Sequence, residues 1–359
     1  MPEMTKAERL VCALSREEPD RVPIYDLVDH RALISRLAGQ ELTLENALEV
    51  IPRALDQVLD TTRVWMPAQP GRRVDERGFT HERVDWWNEW QVQTPFQDMD
   101  GLVKFVKSEI ERLEAWQPKN AAQELAALQE WQRRFGETVI PASGAGEALQ
   151  DAYILVGMDR FIFLELDHPE LVSRWLEAQH QATMRRLQSE SGVQAISPIA
   201  WVFADIAFKD HLMFSKTYLR SHGFFRRLAE IMGLYHSYGL KVIFHSDGDI
   251  TPLVPELIEA GADAIAPVDT PAGMDIFQLK ADFGRRVSFV GGMNLGVLSA
   301  GSPDEVRSLA QRIIQTVGRG GSLVLGSSSE ELYESLPEEN ILAMWETVWD
   351  DSRHPIHPA

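Results

Sequence analysis

Leu240-Lys-Val-Ile-Phe-His-Ser-Asp-Gly-Asp-Ile250 carries three apolar strand formers, Val242, Ile243 and Phe244, straight into a polar turn at Gly248. Side chains two apart on a strand point the same way, so His245 and Asp247 project together from the strand's C-terminal end. In parallel α/β folds that end is where ligands bind, which makes the pair a site candidate. The competing reading is a capped strand end, with Asp247 or Asp249 as helix N-cap and His245 satisfied in the core.

Working outward, the same unit recurs. Apolar, β-rich runs lie at 22–27, 62–66, 138–143, 195–203, 241–245, 264–268, 287–292 and 322–326. The last four are continuous rather than alternating, as suits parallel strands buried on both faces. They are separated by amphipathic segments of helical length, such as Pro252 to Ala260 and Pro303 to Val317. Glycines at Gly261 and Gly284 mark helix ends just before the next strand. Thr5 and Glu8 form a capping box that opens the first helix. Eight β/α units predict an α/β fold of the (β/α)8 TIM-barrel type, one domain over 1–350 with a flexible tail at 351–359.

The segment Val74 to Phe96 breaks the rhythm after strand two and reads as a β-hairpin insertion holding Trp86, Trp87 and Trp90. It either lids the barrel mouth or packs a subdomain or a homodimer interface. Asp98 to Gln123 reads as a charged surface helix.

Composition narrows the function classes. With 359 residues, 44% hydrophobic, the core is ample. A net charge of −19 without a basic stripe argues against nucleic acid. The single cysteine, Cys12, excludes disulfide frameworks and multi-thiolate zinc sites, and its apolar helical neighbours make it core filler. No signal-peptide core opens the chain and no apolar run reaches membrane-spanning length, so a cytoplasmic enzyme without a membrane partner is expected.

On a barrel the strand ends gather the site: Tyr25, Asp26 and Asp29, then Ser143 and Glu147, Trp201 and Asp205, His245 and Asp247, Asp269, and Asn294. The last strand adds Ser327 to Ser329, Glu330 and Glu331. Lysine is missing from these positions, which disfavours a Schiff-base aldolase, and the scarcity of positive charge disfavours a phosphate cradle. His245 and Asp247 could ligate a divalent metal such as zinc without cysteine. Alternatively Asp205 or Asp247 hydrogen-bonds the N–H groups of a heterocycle. Catalytic roles are expected for His245, Asp247 and Asp205, and substrate or cofactor contacts for Asp26, Trp201, Asp269, Asn294, Ser327 and Glu330.

Taken in order, these residues resemble the uroporphyrinogen decarboxylase superfamily. The resemblance runs through Thr5 to Pro23, Asp205-Ile-Ala with the helix around Tyr218 to Leu228, and His245-Ser-Asp-Gly-Asp-Ile. It continues in Glu259-Ala-Gly-Ala-Asp-Ala-Ile, Gly273-Met-Asp, Lys280 and Gly291-Gly-Met-Asn. It implies a (β/α)8 barrel with the site at the C-terminal mouth. Decarboxylases of the family grip their substrate with an arginine-rich first loop and place a histidine after the strand-eight glycine. This chain has only Arg31 in that loop and Ser327 at the later position.

The other branch moves methyl groups between a corrinoid protein and an acceptor. Its coenzyme-M members hold zinc through His-x-Cys and a second cysteine, where this chain has His245, Asp247 and serines. The resemblance with these departures implies a corrinoid-dependent methyltransferase working with a corrinoid-binding partner protein. It moves a methyl group between methylcobamide and tetrahydrofolate or a related acceptor. A divergent decarboxylase-like lyase and a non-catalytic tetrapyrrole- or pterin-binding barrel are the rivals.

Overall fold

In the computed structural model, which describes residues 3–352, the continuous apolar runs form the middle of a parallel sheet. Eleven strands are present among these residues. They are β1 (Leu27–Val28), β2 (Gly71–Val74), β3 (Thr80–Arg83), β4 (Glu89–Gln93), β5 (Ser143–Gly146) and β6 (Ile199–Phe203). The remainder are β7 (Lys241–His245), β8 (Ala264–Val268), β9 (Ser288–Met293), β10 (Leu323–Ser327) and β11 (Glu331–Leu332). Strands β5 to β10 pair in sequence order in one six-stranded sheet, every pair parallel. Helices in the connections cover it, so β8, β9 and β10 are buried at every position.

The remaining predicted strands make shorter contacts. Ile24 bridges Leu325, Tyr25 bridges Thr61, and Thr61 bridges Val139, all in parallel sense. β1 pairs with β11 just beyond. The sheet's pairing therefore continues from β10 through Ile24 and Thr61 to the segment that leads into β5. Gly326 is required here, because a Cβ would lie 1.9 Å from the Tyr25 carbonyl oxygen.

Two apolar clusters follow from the strand period. Tyr25, Val139, Trp201, Ile243, Ala266, Val290 and Val324 point to one side, where Leu10, Ala13 and Leu14 of the first helix join them. Alternate residues such as Val202, Phe244, Ile265 and Phe289 pack outward against the helices. The first helix, Lys6–Leu14, starts at the expected Thr5–Glu8 capping box. Cys12, expected in the core, is only half-buried.

Several boundaries differ from those read in the sequence. Strand two was expected at 62–66, yet its sheet contact is made at Thr61. The run 195–203 opens with a 3-10 turn at Val193–Ala195 and becomes strand only at Ile199. The expected hairpin is a three-stranded antiparallel sheet, β2-β3-β4. Trp86 and Trp87 occupy its second turn, where the Asp85 carboxylate accepts the N–H groups of Trp87 and Asn88. Trp90 on β4 is 60% exposed. The expected surface helix at 98–123 is Met99–Ala115, which buries Leu102, Val106 and Ile110, followed by Ala121–Arg134.

The final helix runs to Asp351, and buried Ser352 accepts the Val22 N–H at 3.2 Å, so the chain is still ordered two residues into the expected tail. The rest of that tail lies outside the described residues. No helix among them is long and apolar enough to cross a membrane.

Candidate functional site

Three strand ends and one strained loop build the candidate site. β7 ends at His245, opposite Phe203 at the end of β6. Asp205 and Asp247 each follow two residues after those strand ends. The Asp247 N–H donates to Asp205 Oδ1 at 3.0 Å, and Gln150 Nε2 donates to Asp205 Oδ2 at 3.1 Å. The Tyr153 hydroxyl donates to the Asp205 carbonyl. Gly248 makes the turn possible, since φ is +83° and a Cβ there would meet the Phe208 carbonyl at 2.4 Å.

The imidazole of His245 sits among carboxylates on both sides. Nε2 lies 3.5 Å from Asp205 Oδ1 and 4.0 Å from Asp247 Oδ1. Nδ1 lies 3.1 Å from Glu330 Oε1, an ion-pair contact without hydrogen-bond alignment. Glu330 is 1% exposed and holds φ at +62°, a left-handed conformation that a side chain other than glycine seldom adopts. Its other oxygen is held by Arg63 Nη2 at 2.9 Å and the Tyr25 hydroxyl at 3.3 Å. The Arg63 guanidinium also lies 5.4 Å from the Trp201 ring centre and 5.3 Å from that of Phe203.

Charge follows from this packing. Burial alone would pull the His245 pKa down, but the Glu330 charge and the Asp205 contact outweigh it and lift it to about 10. Burial works to raise the Glu330 carboxyl, yet the His245 and Arg63 charges bring it below its ordinary range. Asp205 is likewise lowered, its burial outweighed mainly by His245. Asp247 is pushed up to about 6 by burial, with the Asp205 and Glu330 charges adding to it against His245. At neutral pH an imidazolium is therefore held between ionised Glu330 and Asp205, with Asp247 at the open side, its side chain 65% exposed.

The nine expected site residues divide. His245, Asp205, Asp247 and Glu330 come together, and Trp201, 1% exposed with an unpartnered Nε1, lies beside them, its ring centre 6.3 Å from that of His245. Asp269 borders the group, accepting the Gly248 N–H at 3.2 Å while capping Ala272. Asp26 does not serve as an open substrate contact. It is fully buried, its two oxygens take the Ser327 N–H at 2.7 Å and Trp345 Nε1 at 2.9 Å, and burial pushes it up to about 7.

The Asn294 side chain caps the next helix at the Val297 N–H and donates to the Thr270 hydroxyl. The Ser327 hydroxyl is engaged with Ser329. Arg63 was not foreseen. With strand two placed too late, the arginine at its true end read as strand interior. The signal available was the pair Thr61-Thr62, β-branched strand formers directly before a charge.

The donor set Asp205, His245 and Asp247 has ligand atoms within 4.8 Å of one another. A residue behind the imidazole, here Glu330 at Nδ1, is the arrangement that orients a metal-binding histidine. These residues fit a divalent ion such as zinc in an oxygen–nitrogen set, with no thiolate available.

A solved structure, a methyltransferase from Methanosarcina mazei, aligns over 97% of this chain and 99% of its own with a TM-score of 0.69 and 18% identity, a likeness of fold. A search of the curated proteins finds no match. The family model described as uroporphyrinogen decarboxylase (URO-D) matches residues 101–350, which include Asp205, His245, Asp247 and Glu330. By that match the chain belongs to the uroporphyrinogen decarboxylase family.

Proposed function

We propose that this protein is a corrinoid-dependent methyltransferase built on a closed (β/α)8 barrel, moving a methyl group between methylcobamide on a partner protein and tetrahydrofolate or a related nitrogen acceptor. The barrel is supported by the bridges that carry pairing from β10 through Ile24 and Thr61 to Val139. The observation that carries the function is the balance of charge around His245. Four acidic residues (Asp205, Asp247, Asp269 and Glu330) face it or border it, and the one arginine, Arg63, is already paired with Glu330. A polycarboxylate tetrapyrrole would meet repulsion here, whereas a heterocycle rich in N–H groups would find acceptors. The likeness to the Methanosarcina mazei methyltransferase agrees with this branch of the family.

Bound beside the cluster, the corrinoid would supply a methyl group on cobalt. The residues of this chain handle what the acceptor requires. Asp205, fixed by Gln150 and by the Asp247 N–H, orients the acceptor ring through its free lone pairs. A ring nitrogen that gains a methyl must release a proton, and Asp247, exposed and 4.0 Å from Nε2, is placed to receive it. His245 then acts as a fixed positive charge rather than a base. Stacked Trp201 and Phe203 supply a dry floor. A divalent ion held by Asp205, His245 and Asp247 would displace the proton from His245 Nε2, leaving a neutral ligand, and would itself supply the positive charge and Lewis acidity at that place.

The test is anaerobic. Methylcobalamin and tetrahydrofolate are mixed with the protein, and loss of the methylcobalamin spectrum is followed alongside methyltetrahydrofolate formation. Turnover that His245→Ala and Asp205→Asn both abolish supports the proposal. Decarboxylation of uroporphyrinogen at ordinary enzyme rates, on the order of 1 per second or more, would replace it. Elemental analysis of protein purified without chelator decides whether the ion is present.

A further inference from the structure

Beside the His245 cluster lies a separate pocket of about 280 Å3, formed where the turn between β3 and β4 meets the segment after β11. Its walls include the rings of Trp86, Trp87 and Tyr333 and the carboxylates of Asp29 and Glu334. Asp29 is 8% exposed, and its Oδ1 is buried without a hydrogen-bond partner. Leaving a carboxylate in that state is costly, and the charges of Glu331, Asp85 and Glu334 compound the effect of burial. The group that would relieve it is a cation or a strong N–H donor. The aromatic faces ask for the same thing, because the quadrupole of an indole attracts positive charge.

The protein already demonstrates this preference with a residue of its own. The Arg31 guanidinium lies over the Trp86 ring, 4.7 Å from its centre, while also pairing with the exposed Glu41 carboxylate at 3.1 Å. Arg31 is itself substantially exposed, so it can keep Glu41 and leave the ring. It makes no ion pair with Asp29 within 4.0 Å, so the buried carboxylate lacks a cation although one stands at the pocket rim.

We propose that this pocket is a binding site for a small organic ammonium ion, its positive centre seated against Trp86 and Tyr333 and its charge balanced by Asp29. The site adjoins the loop that carries Glu330, because the Tyr333 hydroxyl donates to Ser329, the residue before Glu330. It stands on its own geometry and holds whether or not the neighbouring cluster transfers a methyl group.

Calorimetric titration of the full chain with choline, and separately with 3,3-dimethyl-1-butanol as the neutral analogue of the same shape, tests it. Saturable binding of choline, roughly tenfold or more tighter than the neutral alcohol, is the expected result. Trp86→Leu and Asp29→Asn should each weaken choline binding by about tenfold and leave the alcohol unchanged. Circular dichroism on the same samples verifies that both variants fold. Arg31→Ala uncovers the ring and should preserve or tighten binding. Equal affinity for the two probes, no saturable choline binding, or an Arg31→Ala variant that loses binding would each overturn the proposal.

Discussion

Two clusters of buried charge sit at opposite ends of the segment Asp60 to Arg63, whose Thr61 bridges Tyr25 and Val139, and they are built on opposite principles. At the first, Asp60 is fully buried, and its oxygens receive Arg9 Nη1 at 2.7 Å, Arg21 Nη1 at 2.7 Å and the Ile24 N–H at 2.8 Å. Arg9 in turn pairs with Asp20 at 2.6 Å. Two guanidinium groups meet two carboxylates. At the second, Arg63 and His245 face Glu330, Asp205 and Asp247, and His245 Nδ1, Glu330 Oε1 and Trp201 Nε1 lack aligned hydrogen bonds. A satisfied network holds structure in place. An under-satisfied one in a concave place keeps its capacity for a ligand.

The strongest way to break this comparison is Asp60→Ala. Removing the shared acceptor leaves Arg21 without its carboxylate, Arg9 with Asp20 alone and the buried Ile24 N–H unpaired, so stability should fall by about 3 kcal/mol or more, the scale for breaking a buried pair. Urea denaturation measures it. The protein that remains folded should keep its activity, and a lost activity at unchanged stability would show that the two clusters had been assigned the wrong way round.

The next effect is catalytic. His245→Ala should lower methyl transfer by roughly a hundredfold or more, the scale of a fixed charge that stabilises a transition state. Its melting temperature should fall as well, because Glu330 and Asp205 lose the imidazolium that holds them ionised, so activity is read per folded molecule. A destabilised but fully active variant would make the mouth cluster structural.

How legible each cluster was in the sequence follows from chain physics. β7, β8 and β9 are short apolar runs ended by glycine or a polar turn, and buried parallel strands leave that mark. His245, Asp205 and Asp247 could be placed because position at a strand end is a local property. Asp26 departs from the expected substrate contact because of the twofold period of the strand. Tyr25 points to the inner cluster, so Asp26 must point the other way, towards Trp345.

Arg63 was missed for a different reason. Its position is set by backbone pairings of Thr61 and Thr62 with Ile24 and Val139, far away in the chain. The turn that sets Trp86 opposite Asp29 is equally a tertiary fact, invisible to local pattern.

Arg63 sharpens the comparison at intermediate scale. Arg63→Met removes the one cation besides His245 that pairs with Glu330 among the described residues, and leaves the Tyr25 hydroxyl as its remaining support. Activity should fall by roughly tenfold, the lower range for residues that orient a functional histidine through its partner. Arg63→Lys, which restores charge without the planar fork, should recover part of that loss. Full recovery would mean that charge alone matters. No loss in Arg63→Met would detach Glu330 from the site.

The smallest effect comes from a pair that is satisfied but wet. Arg174 meets Glu114 through three contacts of 3.0–3.1 Å, geometry as good as that around Asp60, yet the side chains are 62% and 48% exposed. Water solvates each partner nearly as well as the other does, and salt screens what is left. Glu114→Gln should therefore change stability by about 0.5 kcal/mol or less, and the change should shrink further in added salt. Denaturation curves at low and high ionic strength measure this directly. A loss approaching that of Asp60→Ala would mean that contact geometry alone sets the worth of a pair. The predicted near-neutrality instead places the difference between the clusters in burial, which makes satisfaction at Asp60 stabilising and its lack at His245 available for binding.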